Sequence, residues 1–317
     1  MTTPIDPTRP VAFMFPGQGS QAVGMGRALY ETFAEAREVF EAADAALGFA
    51  ISKLCFEGPA DQLTLTANTQ PAILTTSVAA ARVVESETGI KPAVCLGHSL
   101  GEFSALVVAG ALRFEDAVRL VRLRGQAMQE AVPVGVGAMA AVLGLAPADV
   151  EALCEEVRGD EVLEPANENG GGQVVVAGHA GAVERLVEAV RARKARAIPL
   201  DVSAPFHCSL MEPAARRLAE ALSDVAVSEM RCPVVANVDA QPNQDPVRVK
   251  ELLVRQVTGR VRWEASVRTV MRTGIDQALE LGHGKVLAGL ARRIDRSLRV
   301  HPVGSPDDVA VLKGEPS

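Results

Sequence analysis

Short apolar runs that stop at glycine-rich turns, each followed by a longer segment with apolar positions three and four apart, recur along this chain. Residues 11–15 are wholly apolar and end at Pro16-Gly17-Gln18-Gly19, after which 21–47 carry the helical period and 30–47 read as continuous helix. Residues 93–96 repeat the arrangement as a strand, with a turn over 97–101 and a helix over 102–112; a further helix is predicted over 115–131. Apolar runs this short suit strands buried on both faces. Their alternation with helices predicts an α/β fold whose sheet is mainly parallel.

The pattern changes between 138 and 202. Strands are predicted over 139–145, 162–166, 173–177 and 197–202, with helices over 148–157 and 180–194. The order β-α-β-β-α-β is that of a ferredoxin-like unit. It predicts a small subdomain over 134–200 inserted into a larger, α/β-hydrolase-like one made of 1–133 and 201–317. The flanks of the insert are the Gly135/Gly137 segment and Ser203-Ala204-Pro205.

Composition narrows the function classes. At 317 residues with 48% apolar and 22% charged residues, the chain buries a sizeable core. A formal charge of −7 and 3% aromatics argue against nucleic acid, which recruits basic faces and stacking platforms. No apolar stretch approaches the roughly 20 residues of a membrane span, and the N-terminus lacks a secretory pattern, so a cytoplasmic protein is expected. Cys55, Cys95, Cys154, Cys208 and Cys232 are scattered and never spaced as C-x-x-C, which suggests reduced, buried thiols and neither a disulfide framework nor a metal site.

Three segments carry candidate chemistry. Gly97-His98-Ser99-Leu100-Gly101 matches G-x-S-x-G between a predicted strand and a predicted helix, where two glycines permit the sharp turn that lifts a serine above a sheet. Of the histidines, His98 adjoins Ser99 and should point away from its hydroxyl. His207, in Ala204-Pro205-Phe206-His207, follows the last predicted strand of the insert and is the better base; no acidic residue stands out as a third member, Asp201 included.

The second segment, Pro16-Gly17-Gln18-Gly19-Ser20-Gln21-Ala22, contains G-x-G-x-x-A, but a dinucleotide site needs a second strand ending in Asp or Glu about twenty residues on, and 30–47 is helical in pattern. A loop there can instead offer a backbone N–H that joins that of Leu100 in binding an oxyanion. Arg124 is the third feature. It lies on the apolar stripe of the predicted 115–131 helix with Leu120, Val121 and Met128, where a guanidinium must find an anion, either an internal carboxylate or a bound one.

Phe15-Pro16-Gly17-Gln18-Gly19-Ser20-Gln21, Thr69-Gln70-Pro71-Ala72, Gly97-His98-Ser99-Leu100-Gly101-Glu102, Arg124-Gly125 and Phe206-His207, taken in order, resemble the malonyl-CoA:acyl carrier protein transacylases, a family shared with the acyltransferase domains of polyketide synthases. The resemblance implies a ping-pong transfer from malonyl-CoA to the phosphopantetheine thiol of an acyl carrier protein through a malonyl ester on Ser99. His207 is then the base, oriented by a main-chain carbonyl whose matching position is Gln256. Gln18 and Leu100 supply the oxyanion N–H groups, and Arg124 receives the malonate carboxylate. Phe206 beside the histidine resembles members that prefer malonyl over methylmalonyl groups. No cofactor or metal is implied, because coenzyme A arrives as substrate and phosphopantetheine comes with the partner; the family is monomeric.

Gly282-His283-Gly284 departs from the family's Gly-Pro-Gly and leaves His283 without a role, while Asn167-Glu168-Asn169-Gly170-Gly171-Gly172 reads as a mobile loop. A hydrolase that uses water as acceptor and a non-catalytic docking module are the competing readings, and a polyketide carrier competes with a fatty acid one. Carrier proteins are acidic, so docking calls for a local basic patch; Arg191, Arg193, Lys194 and Arg196, or Arg255, Arg260 and Arg262, are candidates.

Overall fold

In the computed structural model, which describes residues 5–202 and 204–314, the apolar run after Pro10 forms β1, Ala12–Phe15, and the second run forms β2, Val94–Gly97. Six further strands contribute to the same fold at β3, Gly137–Leu143; β4, Leu163–Gly170; β5, Gln173–His179; β6, Arg196–Pro199; β7, Val234–Val235; and β8, Pro242–Asn243. The last two are β9, Gln277–Leu281, and β10, Arg299–Val303. They divide into a six-stranded sheet, β10-β9-β1-β2-β7-β8, and a four-stranded sheet, β4-β5-β3-β6.

The large sheet is parallel from β10 to β7 and turns antiparallel only at β8. Its central strands are buried on both sides, as their unbroken apolar runs require. Phe13 and Phe15 face the main core, which contains the helices Ala34–Leu47, Thr66–Thr88 and Phe114–Glu130. Ala12 and Met14 face a second cluster around Trp263, Val267 and Leu290.

The small sheet is antiparallel throughout, with helices Pro147–Val157 and Ala180–Ala192 over one face, where Val142, Val150, Leu153 and Leu186 meet. Met139, Ala141, Val175 and Ala177 on its other face belong to the main core. A main-chain bridge also stitches Ala166 and Glu168 to Val261. Ser203, at one predicted flank of the insert, and the extreme termini 1–4 and 315–317 lie outside the described residues.

Four sequence expectations need correction. The segment expected to be one helix over 30–47 is two, Arg27–Thr32 and Ala34–Leu47, because Phe33 turns extended (φ −117°, ψ 132°) and packs its ring against the main core. Asn167-Glu168-Asn169-Gly170 is strand, not mobile loop: it pairs with β5 through two register irregularities, at Ala166 and Asn169, and only Gly171 and Gly172 make the hairpin turn. The strand expected over 197–202 ends at Pro199, and the helix expected over 180–194 ends at Ala192. All five cysteines are free and buried.

Candidate active site

β1 and β2 pair in register with Phe15 opposite Gly97, so the loops that follow them leave the sheet side by side at its carboxyl edge. Ligands of open α/β sheets bind at such an edge. The turn after β2 closes because it has glycine on both sides of Ser99. A Cβ at Gly97 would stand 2.0 Å from the carbonyl group of Gly101, and one at Gly101 would stand 2.0 Å from the Phe15 carbonyl oxygen.

Ser99 itself has φ 51°, a left-handed conformation that costs a non-glycine residue about 1–3 kcal/mol. Both of its backbone polar groups are tied down. The N–H donates to Asn237 Oδ1 at 2.7 Å, and the carbonyl accepts from Gln256 Nε2 at 2.9 Å and from the Glu102 N–H at 3.1 Å.

His207 Nε2 lies 2.7 Å from Ser99 Oγ. Its other nitrogen, Nδ1, faces the main-chain carbonyls of Gln256 at 2.9 Å and Gly259 at 3.1 Å. Carbonyls only accept, so Nδ1 carries the proton and Nε2 is left with the lone pair that takes the serine O–H. Burial, and then the positive charge of Arg124, pull the imidazole down to about 3, which keeps it neutral through the physiological range. Two carbonyl dipoles thus orient the ring where a carboxylate would in a charged triad.

Arg124, on the helix Phe114–Glu130, is 2% exposed. Its Nη2 donates to Ser99 Oγ at 3.2 Å and to Gln256 Oε1 at 2.9 Å, and its Nη1 donates to Gln70 Oε1 at 2.8 Å; Nε is buried with no acceptor among the described residues. The ring of Phe103 lies 5.6 Å beneath the guanidinium carbon. Burial lowers the group to about 10, so it stays cationic, yet its hydrogen-bond partners are neutral oxygens. A buried cation held only by amides and a hydroxyl is poised for an anion that comes from outside.

Gln18, Ser99, Leu100, Arg124, Phe206 and His207 all line one cavity of about 140 Å³. Neither the Gln18 nor the Leu100 main-chain N–H donates to an acceptor among the described residues. Gln256 adds the carbonyl behind His207 and, with its side chain, a link from Arg124 to Ser99. His98 turns away as expected, with Nε2 bonded to Asn169 Oδ1 at 2.8 Å and its ring 5.6 Å from that of Trp263. Asp201 is exposed, and His179 accepts from the Val162 N–H.

Sequence reasoning missed Asn237 and the side-chain parts played by Glu102 and Gln70. Asn237 Nδ2 donates to the Gly97 carbonyl at 2.7 Å while its Oδ1 takes the Ser99 N–H, so one amide braces both ends of the turn. Nothing in its local sequence marks it. Glu102 did carry a signal, since it is a charged residue in the mostly apolar helix Gly101–Ala109, where burial demands a partner; Gln70 follows the polar run Asn68-Thr69 and carries none of that kind.

A family model described as acyl transferase domain matches residues 12–305. The malonyl CoA-acyl carrier protein transacylase of Salmonella typhimurium is 47% identical over 296 residues, covering 93% of this chain and 96% of its own. Among solved structures, the acyl-carrier-protein-S-malonyltransferase of Bartonella henselae superposes with a TM-score of 0.92 at 48% identity, covering 96% of this chain and 99% of that one. A malonyl-transacylase in complex with a type II PKS acyl-carrier protein gives 0.93 at 42% identity, over 97% of this chain and 100% of the other.

Proposed function

Because this chain belongs to the acyl transferase family and, within it, to the malonyl CoA-acyl carrier protein transacylases, we propose that it moves a malonyl group from coenzyme A to the phosphopantetheine thiol of an acyl carrier protein of fatty acid synthesis. The observation that carries the choice of acyl group is a buried guanidinium 3.2 Å from Ser99 Oγ with no carboxylate of its own.

The steps follow from the site. Ser99 Oγ attacks the thioester carbon as its proton passes to His207 Nε2, and the N–H groups of Gln18 and Leu100 bind the oxygen that gains charge. Collapse of the tetrahedral adduct breaks the carbon–sulfur bond; the departing thiolate takes the proton back from His207, leaving malonyl-Ser99. The carrier thiol then gives its proton to His207 and attacks the ester, and Ser99 leaves reprotonated. Arg124 holds the malonate carboxylate throughout, so a neutral acetyl group forgoes that contact. With this reading go a monomeric, cytoplasmic enzyme without a cofactor, an α/β-hydrolase-like large subdomain over 1–133 and 201–317, and a ferredoxin-like insert over 134–200.

Carrier docking is best served by the groove between the helix Val286–Ile294 and β10, about 740 Å³, lined by Lys285, Arg292 and Arg296 with Leu298 and Pro302. Those three cations form no ion pair among the described residues. In the patches read from sequence, Arg193 pairs with Glu156, Arg255 with Glu251, and Arg260 with Glu151 and Glu168, while Arg191, Lys194, Arg196 and Arg262 form no ion pair among the described residues. Lys285 also follows Gly284, where a Cβ would stand 3.9 Å from the Ser20 carbonyl of the loop that carries Gln18.

Intact mass spectrometry after brief exposure to malonyl-CoA tests the reading. A malonyl adduct on the wild type, absent from Ser99→Ala, is expected; a folded wild type that takes up no acyl group would leave only docking.

A further inference from the structure

Two charges are buried beneath the nucleophile, and they do not touch. Glu102, three residues after Ser99, is 2% exposed, as is Arg124. Between them lies the Gln256 side chain: its Oε1 accepts from Arg124 Nη2 at 2.9 Å, and its Nε2 donates to Glu102 Oε2 at 2.7 Å and to the Ser99 carbonyl at 2.9 Å. The same carboxylate oxygen accepts from the Asn237 N–H at 3.0 Å.

An amide has a donor end and an acceptor end, and only one orientation suits this place. Turned over, Gln256 would aim N–H bonds at the guanidinium and its oxygen at a carboxylate and a carbonyl. We propose that Glu102 is a positioning residue for acyl-group selection: by drawing the Gln256 N–H groups toward itself, it presents Gln256 Oε1 to Arg124 and so holds the guanidinium against Ser99 Oγ, where a carboxylate on the acyl chain must arrive. Glu102 touches no substrate atom; it acts through Gln256. The arrangement also limits direct competition, because the internal carboxylate is kept one amide away from the cation and the guanidinium edge stays open to an external one. Burial opposes both charges and is the larger effect, raising Glu102 to about 7, while Arg124 and Glu102 each favour the other's charged form.

The inference rests on the malonyl-transfer reading, and two variants test it by separating reach from charge. Glu102→Asp keeps the charge but is one methylene too short to reach Gln256. Glu102→Gln keeps the reach and an acceptor oxygen but loses the charge. Initial rates of malonyl and of acetyl loading on Ser99, followed by intact mass, give a malonyl-to-acetyl ratio that a general loss of folding does not move. Losing one charge-assisted hydrogen bond corresponds to about a tenfold fall in that ratio for Glu102→Asp, with Glu102→Gln within about threefold of wild type. Equal losses of both acyl groups in either variant, or a ratio that falls in Glu102→Gln and not in Glu102→Asp, would overturn the positioning role. A wild type that shows no malonyl preference would instead fail the functional reading itself.

Discussion

Removing the guanidinium by Arg124→Ala should convert this enzyme from malonyl to acetyl preference. In the folded site Arg124 has already lost its water and holds only Gln70, Gln256 and Ser99, all neutral. An arriving carboxylate therefore gains a charged contact with a buried guanidinium. Truncating one partner of such a pair costs about 2–5 kcal/mol, and the midpoint of about 3.5 kcal/mol is a loss of roughly 400-fold in malonyl kcat/KM.

Acetyl loading should move the other way. Arg124 now donates to Ser99 Oγ and is, after burial, the main cause of the depressed His207 basicity, so its loss frees a serine lone pair and strengthens the base. The assay is quenched-flow loading with each thioester, read as acyl-enzyme mass, with thermal melting to show that the variant is folded. If malonyl and acetyl loading fall by the same factor in a folded variant, Arg124 serves the architecture of the site and not the choice of acyl group.

Two other predictions follow from different parts of the molecule. Charge reversal of Lys285 and Arg292 should raise KM for the carrier roughly tenfold and leave that for malonyl-CoA unchanged, whereas reversal at ion-paired Arg193 should do neither; a parallel rise for both substrates would reject the groove as the docking surface. Glu280, fully buried in β9, accepts from the Leu287 and Ala288 N–H groups, yet burial raises it from 4.5 to about 7. A carboxyl raised on folding favours the folded state below its ordinary value, and that contribution is lost as pH rises toward about 7. Chemical denaturation at pH 5 and 7.5 should therefore show a smaller fall in stability for Glu280→Gln than for wild type, and an identical fall would refute the assignment.

Much of the architecture was legible in local pattern. Apolar runs of four or five residues bounded by glycine predicted β1 and β2 to within a residue, because a strand buried on both faces favours apolar side chains and admits a polar one, such as Glu280 in β9, only where it finds hydrogen-bond partners. Where the pattern misled, the cause lay outside the segment. Phe33 breaks its helix to reach the core, and Asn167 to Gly170 become strand because β5 and Val261 lie alongside to pair with them.

The site divides along the same line. The elbow around Ser99 is a local device of two glycines and a turn, so it can be read from five consecutive residues. The order of Gln18, Ser99, Arg124, His207 and Gln256 along the chain was likewise visible. What brings them around one cavity is tertiary: parallel pairing sets two loops abreast, a carbonyl 49 residues beyond His207 chooses its tautomer, and Asn237, 138 residues beyond Ser99, stabilises the strained turn. Sequence by itself determined which chemical groups this protein owns and which turns can present them. Only the folded chain decided which amide faces which charge, because hydrogen-bond direction in a buried network depends on every partner at once.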